Sequence, residues 1–178
     1  MGKKGELTDR DVRIIYLPPA TVAASHYIGD APEHHAAAAI GRFVDESNLR
    51  EIKPELRSYG FNHPNPKDET NFHGYEVWVT IPDDVEVPPP LEKKRFEGGL
   101  YAAYMIPIGM FEAWHWLWKW AEESDKYDLN TIEDGGERMH GLLEEPLLFG
   151  YPARPMEHGI GDNDLQLDLL LPIKEKNK

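Results

Sequence analysis

Residues 94–125 read KRFEGGLYAAYMIPIG followed by MFEAWHWLWKWAEESD, a strand-like stretch that leads directly into a helix-like one. The first part is mostly apolar and aromatic, which predicts a strand interrupted at Gly98 and Gly99. In the second part, apolar side chains recur at helical spacing and predict a helix over residues 110–125. Its apolar face is predicted to comprise Met110, Phe111, Trp114, Leu117, Trp118 and Ala121.

The first half of the chain contains strand patterns of the same kind. The segment VRIIYLPPATVAASHYI (12–28) predicts one long strand that is bent or interrupted at Pro18 and Pro19. RSYGFN (57–62) and GYEVWVTIP (74–82) predict two more strands, joined by a turn-rich connection.

A helix is predicted between the first two of these strands. It is expected to begin at Asp30, because Glu33 follows at the spacing of a capping box, and to fade near Asn48. The apolar positions at helical period are Ala36, Ala37, Ile40, Phe43 and Val44.

The end of the chain completes a weak internal repeat. GLLEEPLLF (141–149) and LQLDLLLPIK (165–174) predict two strands after the second helix, and the latter resembles residues 74–82. Each half therefore reads strand, helix, strand, strand. This order predicts an α+β fold of two pseudo-symmetric modules with an antiparallel sheet and a concave groove.

The proline-rich segment PDDVEVPPP (82–90) has the composition of a stiff connector. We expect residues 1–178 to form a single domain, with module one at about 10–82 and module two at about 91–175. A chain of 178 residues is long enough to bury a core without disulfides or metals.

Composition excludes several classes of function. The formal charge of −13, from 32 acids against 19 bases, repels nucleic-acid phosphates and argues against direct nucleic acid binding. The chain lacks a leader-like apolar segment and a run of about 18 apolar residues, so we expect a cytoplasmic protein without a membrane span.

The residues also argue against several kinds of catalytic or metal site. With no cysteine, thiol nucleophiles and thiolate zinc sites are excluded. The eight histidines form no HExxH motif and no i, i+4 pair, and the serines form no GxSxG motif. The sequence therefore predicts no metal and no cofactor.

Two adjacent acids interrupt the apolar stretch that contains LLEEP (142–146). Because alternate residues of a strand face opposite sides, Glu144 and Glu145 are not expected to share a face. An edge or surface position would explain either acid, but the apolar flanks and Pro146 equally favour one of them lining a groove.

At this point the chain resembles the GyrI-like small-molecule-binding family, whose fold is also called the AraC-type effector-binding or BmrR-like drug-binding fold. The resemblance runs from about Val12 to Glu175. It is carried by YGFNHPNP (59–66) with GYEVWVTIP, by FEGGLYAAYMIPIG (96–109), and by LLEEP and LQLDLLLPIKE. No helix-turn-helix segment precedes Val12, so the chain is similar to the stand-alone members of the family.

The resemblance implies that Glu144 is a counter-charge for lipophilic, often cationic, small molecules in an aromatic pocket, with Glu145 the next candidate if a bulge changes the parity. Pro146 stands where relatives often have Tyr or His, so one wall of that pocket is in question. Aromatic faces would add cation–π attraction of about 0.5–2 kcal/mol each. The aromatic residues expected to line the groove are Tyr75, Trp78, Phe61, Tyr101 and Tyr104, each of which also suits ordinary packing.

Two other functions follow from the same resemblance. One is hydrolysis of cyclopropane-bearing DNA-alkylating compounds, with Glu144 as general acid or base. The other is an interaction with gyrase.

On the second helix, Trp114 and Trp118 are expected in the core. Trp116 and Trp120 are left to cover the pocket, to contact a second copy in a homodimer, or to lie half-exposed.

Overall fold

The computed structural model describes residues 5–148 and 165–177. Its helices are α1 (Pro32–Glu46), α2 (Leu49–Ile52) and α3 (Ala113–Glu123), with a short 3₁₀ turn at Met139–Gly141. Its strands are β1 (Arg13–Leu17), β2 (Ala20–Gly29), β3 (Ser58–Asn62), β4 (His73–Ile81), β5 (Glu92–Phe96), β6 (Gly99–Pro107), β7 (Tyr127–Leu129), β8 (Leu143–Pro146) and β9 (Gln166–Glu175).

These strands form one antiparallel sheet in the order β1-β6-β9-β8-β3-β4-β2-β5, and β7 pairs with the free part of β9. The order has an internal symmetry, since β1, β6, β9 and β8 on one side match β5, β2, β4 and β3 on the other. The predicted α+β class with two pseudo-symmetric modules is confirmed. The modules meet where Gly60 on β3 pairs with Glu144 on β8.

The two halves exchange their first strands. β1 pairs with β6 of the second half, and β5 pairs with β2 of the first half. The chain breaks between β1 and β2 at Pro18 and Pro19, which lack the N–H that a ladder needs, and between β5 and β6 at Gly98, whose φ is +67°. The predicted interruptions therefore separate whole strands instead of bending single ones.

The predicted start of α1 is wrong in detail. Its N-cap is Ala31 in the left-handed conformation, without a side-chain cap, so Asp30 and Glu33 form no capping box. Glu33 instead accepts a hydrogen bond from His73 Nε2 on β4 at 2.7 Å. A long-range partner has replaced the local one, which sequence spacing alone does not reveal.

The helix α1 packs on the sheet through its predicted apolar positions. Ile40, Phe43 and Val44 are buried against Val77 and Val79 of β4. Odd-numbered residues of β4 thus face the helix, and even-numbered residues face the other way. We call the side that carries Val77 the helix face and the other side the opposite face.

The predicted apolar face of α3 needs correction. Helix α3 begins at Ala113, so Met110 and Phe111 precede it, and Phe111 is exposed. The helix buries Ala113, Leu117, Trp120 and Ala121, whereas Trp114, Trp116 and Trp118 are only partly buried. Trp120 is the buried tryptophan of this helix, and Asp9 accepts a hydrogen bond from its indole N–H.

Two features lie outside what the sequence patterns indicated. The short strand β7 and helix α2 were not predicted. The last residue of the predicted strand 141–149, and residues 149–164 of the predicted second module, lie outside the described residues. Within the described ranges, no helix is long and apolar enough to span a bilayer.

Candidate functional site

The two adjacent acids lie on β8, the short strand at the junction of the halves. Glu144 pairs with Gly60 on β3 and with Leu169 on β9, whereas Glu145 pairs with Asp168. Residues directly opposite each other in a ladder share a face of the sheet. Gly60 also pairs with Val77, so Glu144 lies on the helix face and Glu145 on the opposite face, as alternation predicts.

Glu144 contacts a tyrosine from the neighbouring half. The hydroxyl of Tyr75, on β4, donates a hydrogen bond to Glu144 Oε2 at 2.7 Å. Gly60 makes this contact possible, because a Cβ at that position would lie 2.2 Å from the Tyr75 hydroxyl oxygen. The missing side chain on β3 therefore lets the tyrosine cross the strand and reach the acid.

The surroundings of Glu144 disfavour its charge. Burial raises the pKa of Glu144 from 4.5 to about 6, and the nearby charge of Glu33 contributes in the same direction. The Tyr75 hydrogen bond opposes this rise without cancelling it. Burial and the neighbouring Glu144 raise the pKa of Tyr75 well above 10, so the tyrosine stays protonated and remains a donor.

A tryptophan of α3 completes this group. The indole N–H of Trp114 is buried and has no hydrogen-bond partner among the described residues. It approaches Glu144 closely enough to lower the pKa of the carboxyl, although short of full hydrogen-bond geometry. Since Glu33 belongs to α1 and Trp114 to α3, both helices approach Glu144 from the same side of the sheet. We call Glu144, Tyr75, Trp114 and Glu33 the helix-face site.

Glu145 has a different environment. Arg57 donates to both of its carboxylate oxygens, from Nε at 2.7 Å and from Nη2 at 2.6 Å. This bidentate pair raises the pKa of Arg57, whose guanidinium carbon also lies 5.7 Å from the ring centre of Tyr59. The neighbouring Asp168 is paired in turn with Arg13. Glu145 already has a cationic partner within the chain.

The five predicted pocket aromatics do not form one group. Tyr75 contacts Glu144, and Tyr104 lies on the same face, opposite Leu169 and two strands from the acid. Trp78, Phe61 and Tyr101 lie on the opposite face, together with Leu143. The odd spacing between Tyr75 and Trp78 predicts that they lie on opposite faces, as they do, and Phe61 and Tyr101 lie on the side of Trp78.

The opposite face also carries a buried acid that the sequence analysis passed over. Glu76, 1% exposed, accepts hydrogen bonds from Lys94 Nζ and Trp78 Nε1, both at 2.7 Å, and its other oxygen lies 2.7 Å from His63 Nδ1. These partners lower its pKa against the effect of burial. Glu76 is thus a paired carboxylate.

This acid belongs to a cluster with two histidines. Potential ligand atoms of His26, His63 and Glu76 lie within 4.8 Å of one another, a grouping that the spacing of the histidines in the sequence did not indicate. His26 Nε2 contacts the His63 carbonyl at 2.6 Å, and the Lys94 ammonium already neutralises Glu76. The arrangement fits a hydrogen-bonded network better than a site for a dication.

Two members of the helix-face site, Glu33 and Trp114, and the neighbouring Gly60 were not predicted as site residues. Gly60 was read only as part of a strand, Glu33 as a capping residue and Trp114 as a core residue. Gly60 had one available signal, a glycine within a strand, which often marks close approach of another group. The roles of Glu33 and Trp114 depend on contacts between elements far apart in sequence.

Comparison with known proteins supplies a family and a fold. The sequence model of the family Cass2, described as an integron-associated effector binding protein, matches residues 13–173. The C-terminal domain of EcmrR has a TM-score of 0.60 at 10% identity, with 93% of this chain and 98% of that domain covered. A hydrolase from Listeria innocua has a TM-score of 0.61 at 14% identity, with 96% and 95% covered.

The EcmrR chain in its complex with DNA gives a TM-score of 0.64 at 11% identity. The match covers 93% of this chain and 57% of the EcmrR chain, so the chain spans a little over half of the length of that relative. No curated protein sequence matches the chain. At these identities the structural likenesses establish the shared fold alone.

Proposed function

The chain belongs to the integron-associated effector-binding proteins, a GyrI-like family whose members bind small molecules, and we propose that its effector is a lipophilic cation held by Glu144 at the helix-face site. The observation that carries this proposal is the state of Glu144. Its carboxyl is partly buried, with a pKa of about 6, yet within residues 5–148 and 165–177 no basic side chain forms an ion pair with it.

A bound cation would offset the unfavourable burial of the Glu144 charge. At pH 7 a carboxyl with a pKa near 6 is mostly ionised, although its surroundings penalise the charge. An ammonium or phosphonium ligand would supply the missing positive partner, and a lipophilic one would lose little hydration on entering. Tyr75 would hold the carboxylate in place through its hydrogen bond.

The aromatic side chains on this face suit the apolar part of such a ligand. The rings of Tyr75, Trp114 and Tyr104 are all partly buried, so each retains some exposed surface. Cation–π attraction to rings of this kind amounts to about 0.5–2 kcal/mol each and depends weakly on ligand shape. We therefore expect a broad range of hydrophobic cations to bind.

Titration calorimetry with tetraphenylphosphonium and rhodamine 6G tests the proposal at pH 7.5. The variant Glu144→Gln keeps the size and the acceptor oxygen of the side chain, and we expect it to bind at least tenfold more weakly. Glu122→Gln removes an exposed acid from α3 and is the matched charge control, with affinity unchanged. Equal affinity of the wild type and Glu144→Gln for both cations would exclude charge pairing by Glu144.

The pKa of Glu144 also favours a second function, hydrolysis with this residue as general acid or base. A carboxyl that titrates near neutral pH is suited to accept and return a proton, which contributes typically 10²–10⁴-fold to a rate. Incubation with a cyclopropane-bearing alkylating compound distinguishes the two functions. More than one equivalent of hydrolysed product, lost in Glu144→Gln, indicates an enzyme, whereas binding without product indicates a receptor.

A further inference from the structure

The opposite face of the sheet contains a cavity that is separate from the helix-face site. Its volume is about 230 Å³, and it lies between the sheet and the segment 130–142. We call it the aromatic cavity. Its walls are formed by Phe61, Trp78, Phe96, Tyr101, Leu143 and Ile132.

The aromatic rings of this wall form a connected chain. Phe61 meets Trp78 edge to face with ring centres 4.9 Å apart, and Trp78 is 5.6 Å from Phe96, which is 6.5 Å from Tyr101. The Trp78 ring is held in place because its N–H is bonded to the buried Glu76. The wall is thus preformed, and a planar ring can bind to it without ordering loose side chains.

One wall residue offers an unused polar group. Tyr101 is 6% exposed, and its hydroxyl has no hydrogen-bond partner in the described part of the chain. Burial raises the pKa of Tyr101 to about 12, so the hydroxyl remains a donor at neutral pH. Tyr101 lines the cavity, so an acceptor on a ligand bound there could take the place of water at this hydroxyl.

Three charged residues border the cavity, namely Arg138, Arg95 and Glu97. Arg95 pairs with Thr21, which pairs with Ile81 of the helix face, so its side chain is directed to that face and Arg138 is the guanidinium at the cavity. Arg95 lies 4.0 Å from Glu97, and Arg138 lies 3.9 Å from Asp134, at the outer limit of ion pairing, and both guanidinium side chains are about half exposed. The long contact between Arg138 and Asp134 leaves guanidinium donors that a ligand carboxylate can engage.

The size of the cavity limits the ligand. A water molecule takes about 30 Å³ of liquid volume, so the space corresponds to roughly eight waters. One or two fused rings fit such a volume. A neighbouring cavity of about 180 Å³ also borders Tyr101, Ile132 and Gly141, which leaves room for a substituent.

From these observations we propose that the aromatic cavity is a second ligand site, which binds a one- or two-ring aromatic carboxylate. The ring packs on Trp78 and Phe96, and the carboxylate accepts a hydrogen bond from Tyr101 and pairs with Arg138. This site requires no contact with Glu144, because the sheet separates the two. The chain would then bind ligands of opposite charge on its two faces.

Calorimetry and tryptophan fluorescence with 2-naphthoate, 2-naphthol and 2-naphthyltrimethylammonium test this proposal. The wild type is expected to bind the carboxylate with one-to-one stoichiometry and at least tenfold more tightly than the other two. Arg138→Glu should weaken naphthoate binding at least tenfold, and Ile132→Trp should fill the cavity and weaken it further. Arg10→Glu changes an exposed arginine that does not line the cavity; it is the charge control and should bind like the wild type.

The two sites can be separated in the same experiment. Glu144→Gln should bind naphthoate like the wild type even if it has lost the cations, and thermal unfolding of every variant verifies the fold. The proposal is overturned if naphthoate does not bind, if the cation binds best in the cavity, or if both Arg138→Glu and Ile132→Trp bind naphthoate normally. Failure of cation binding to depend on Glu144 would affect the helix-face site alone.

Discussion

Glu144 and Glu145 are neighbours in the chain, but the two faces of the sheet give them opposite environments. Glu145 receives two hydrogen bonds from one guanidinium, whereas Glu144 has a tyrosine hydroxyl and a raised pKa. Two identical side chains thus differ only in what lies across from them. Among the described residues Glu145 has a cationic partner and Glu144 has none, so Glu144 could pair with a cation without first breaking an ion pair of its own.

The largest effect is expected when a side chain at position 60 fills the space that the Tyr75 ring occupies. In Gly60→Ala, the new methyl group would lie 2.2 Å from the tyrosine hydroxyl oxygen and 2.7 Å from its ring, so the ring has to move. We expect a loss of about 3 kcal/mol in the free energy of unfolding, because overpacking of this kind costs 1–3 kcal/mol. Urea denaturation measures it.

The matched experiment for this prediction is the double variant Gly60→Ala with Tyr75→Ala. Removing the ring removes the clash, so the double variant should lose less stability than the sum of the two single losses. If the losses simply add, the glycine has another function. Any variant that retains cation binding without the Tyr75 contact would show that the tyrosine does not position Glu144.

The next largest effect is expected on the opposite face. Arg57→Gln would leave the buried Glu145 unpaired beside Asp168, two acids opposite each other on neighbouring strands. Breaking a buried pair costs 3–5 kcal/mol, and since Arg57 is about 39% exposed we expect about 2 kcal/mol. Chemical denaturation of Arg57→Gln, Glu145→Gln and the double variant measures the coupling free energy between the two side chains. A coupling near zero would mean that the pair is only a surface contact.

The smallest expected effect is a difference in the pH dependence of stability between the wild type and Glu144→Gln. The folded state raises the pKa of Glu144 from 4.5 to about 6, so the native state holds a proton that the unfolded state releases, and stability falls as pH rises through this range. The difference corresponds to about 2 kcal/mol. Glu144→Gln cannot lose this proton, so its stability should exceed that of the wild type by up to this amount at pH 8 and by little at pH 4.

Denaturation curves between pH 4 and pH 8 measure this difference. Glu122→Gln serves again as the control, with a pH dependence equal to that of the wild type. A constant gap between Glu144→Gln and the wild type across the whole range would mean that the carboxyl titrates normally. The same titration should appear in cation binding, which would weaken as the pH falls below about 6.

The sequence predicted the features that depend on local periodicity. Alternation along LLEEP placed the two acids on different faces, and the repeated strand patterns predicted the pseudo-symmetric sheet. These predictions succeed because side-chain direction in a strand follows from position alone.

What the sequence did not predict depends on contacts between distant segments. Arg57 lies 88 residues from Glu145, and Glu33 lies 40 residues from His73. Trp120, not Trp114, is the buried tryptophan, and its indole N–H is bonded to Asp9, 111 residues away in the chain. No periodic pattern records such pairings, since each one depends on how the elements pack.

The exchange of β1 and β5 between the halves has a consequence for how the polypeptide can be divided. A cut in the proline-rich segment 82–90 would give two fragments, each carrying one strand whose hydrogen-bonding neighbours are in the other. We expect these fragments to associate rather than to fold separately, because each one alone leaves a strand without its hydrogen-bonding neighbours. Tyr75 and Glu144 would belong to different fragments, so a cation bound as proposed at the helix-face site would also stabilise the reassembled pair.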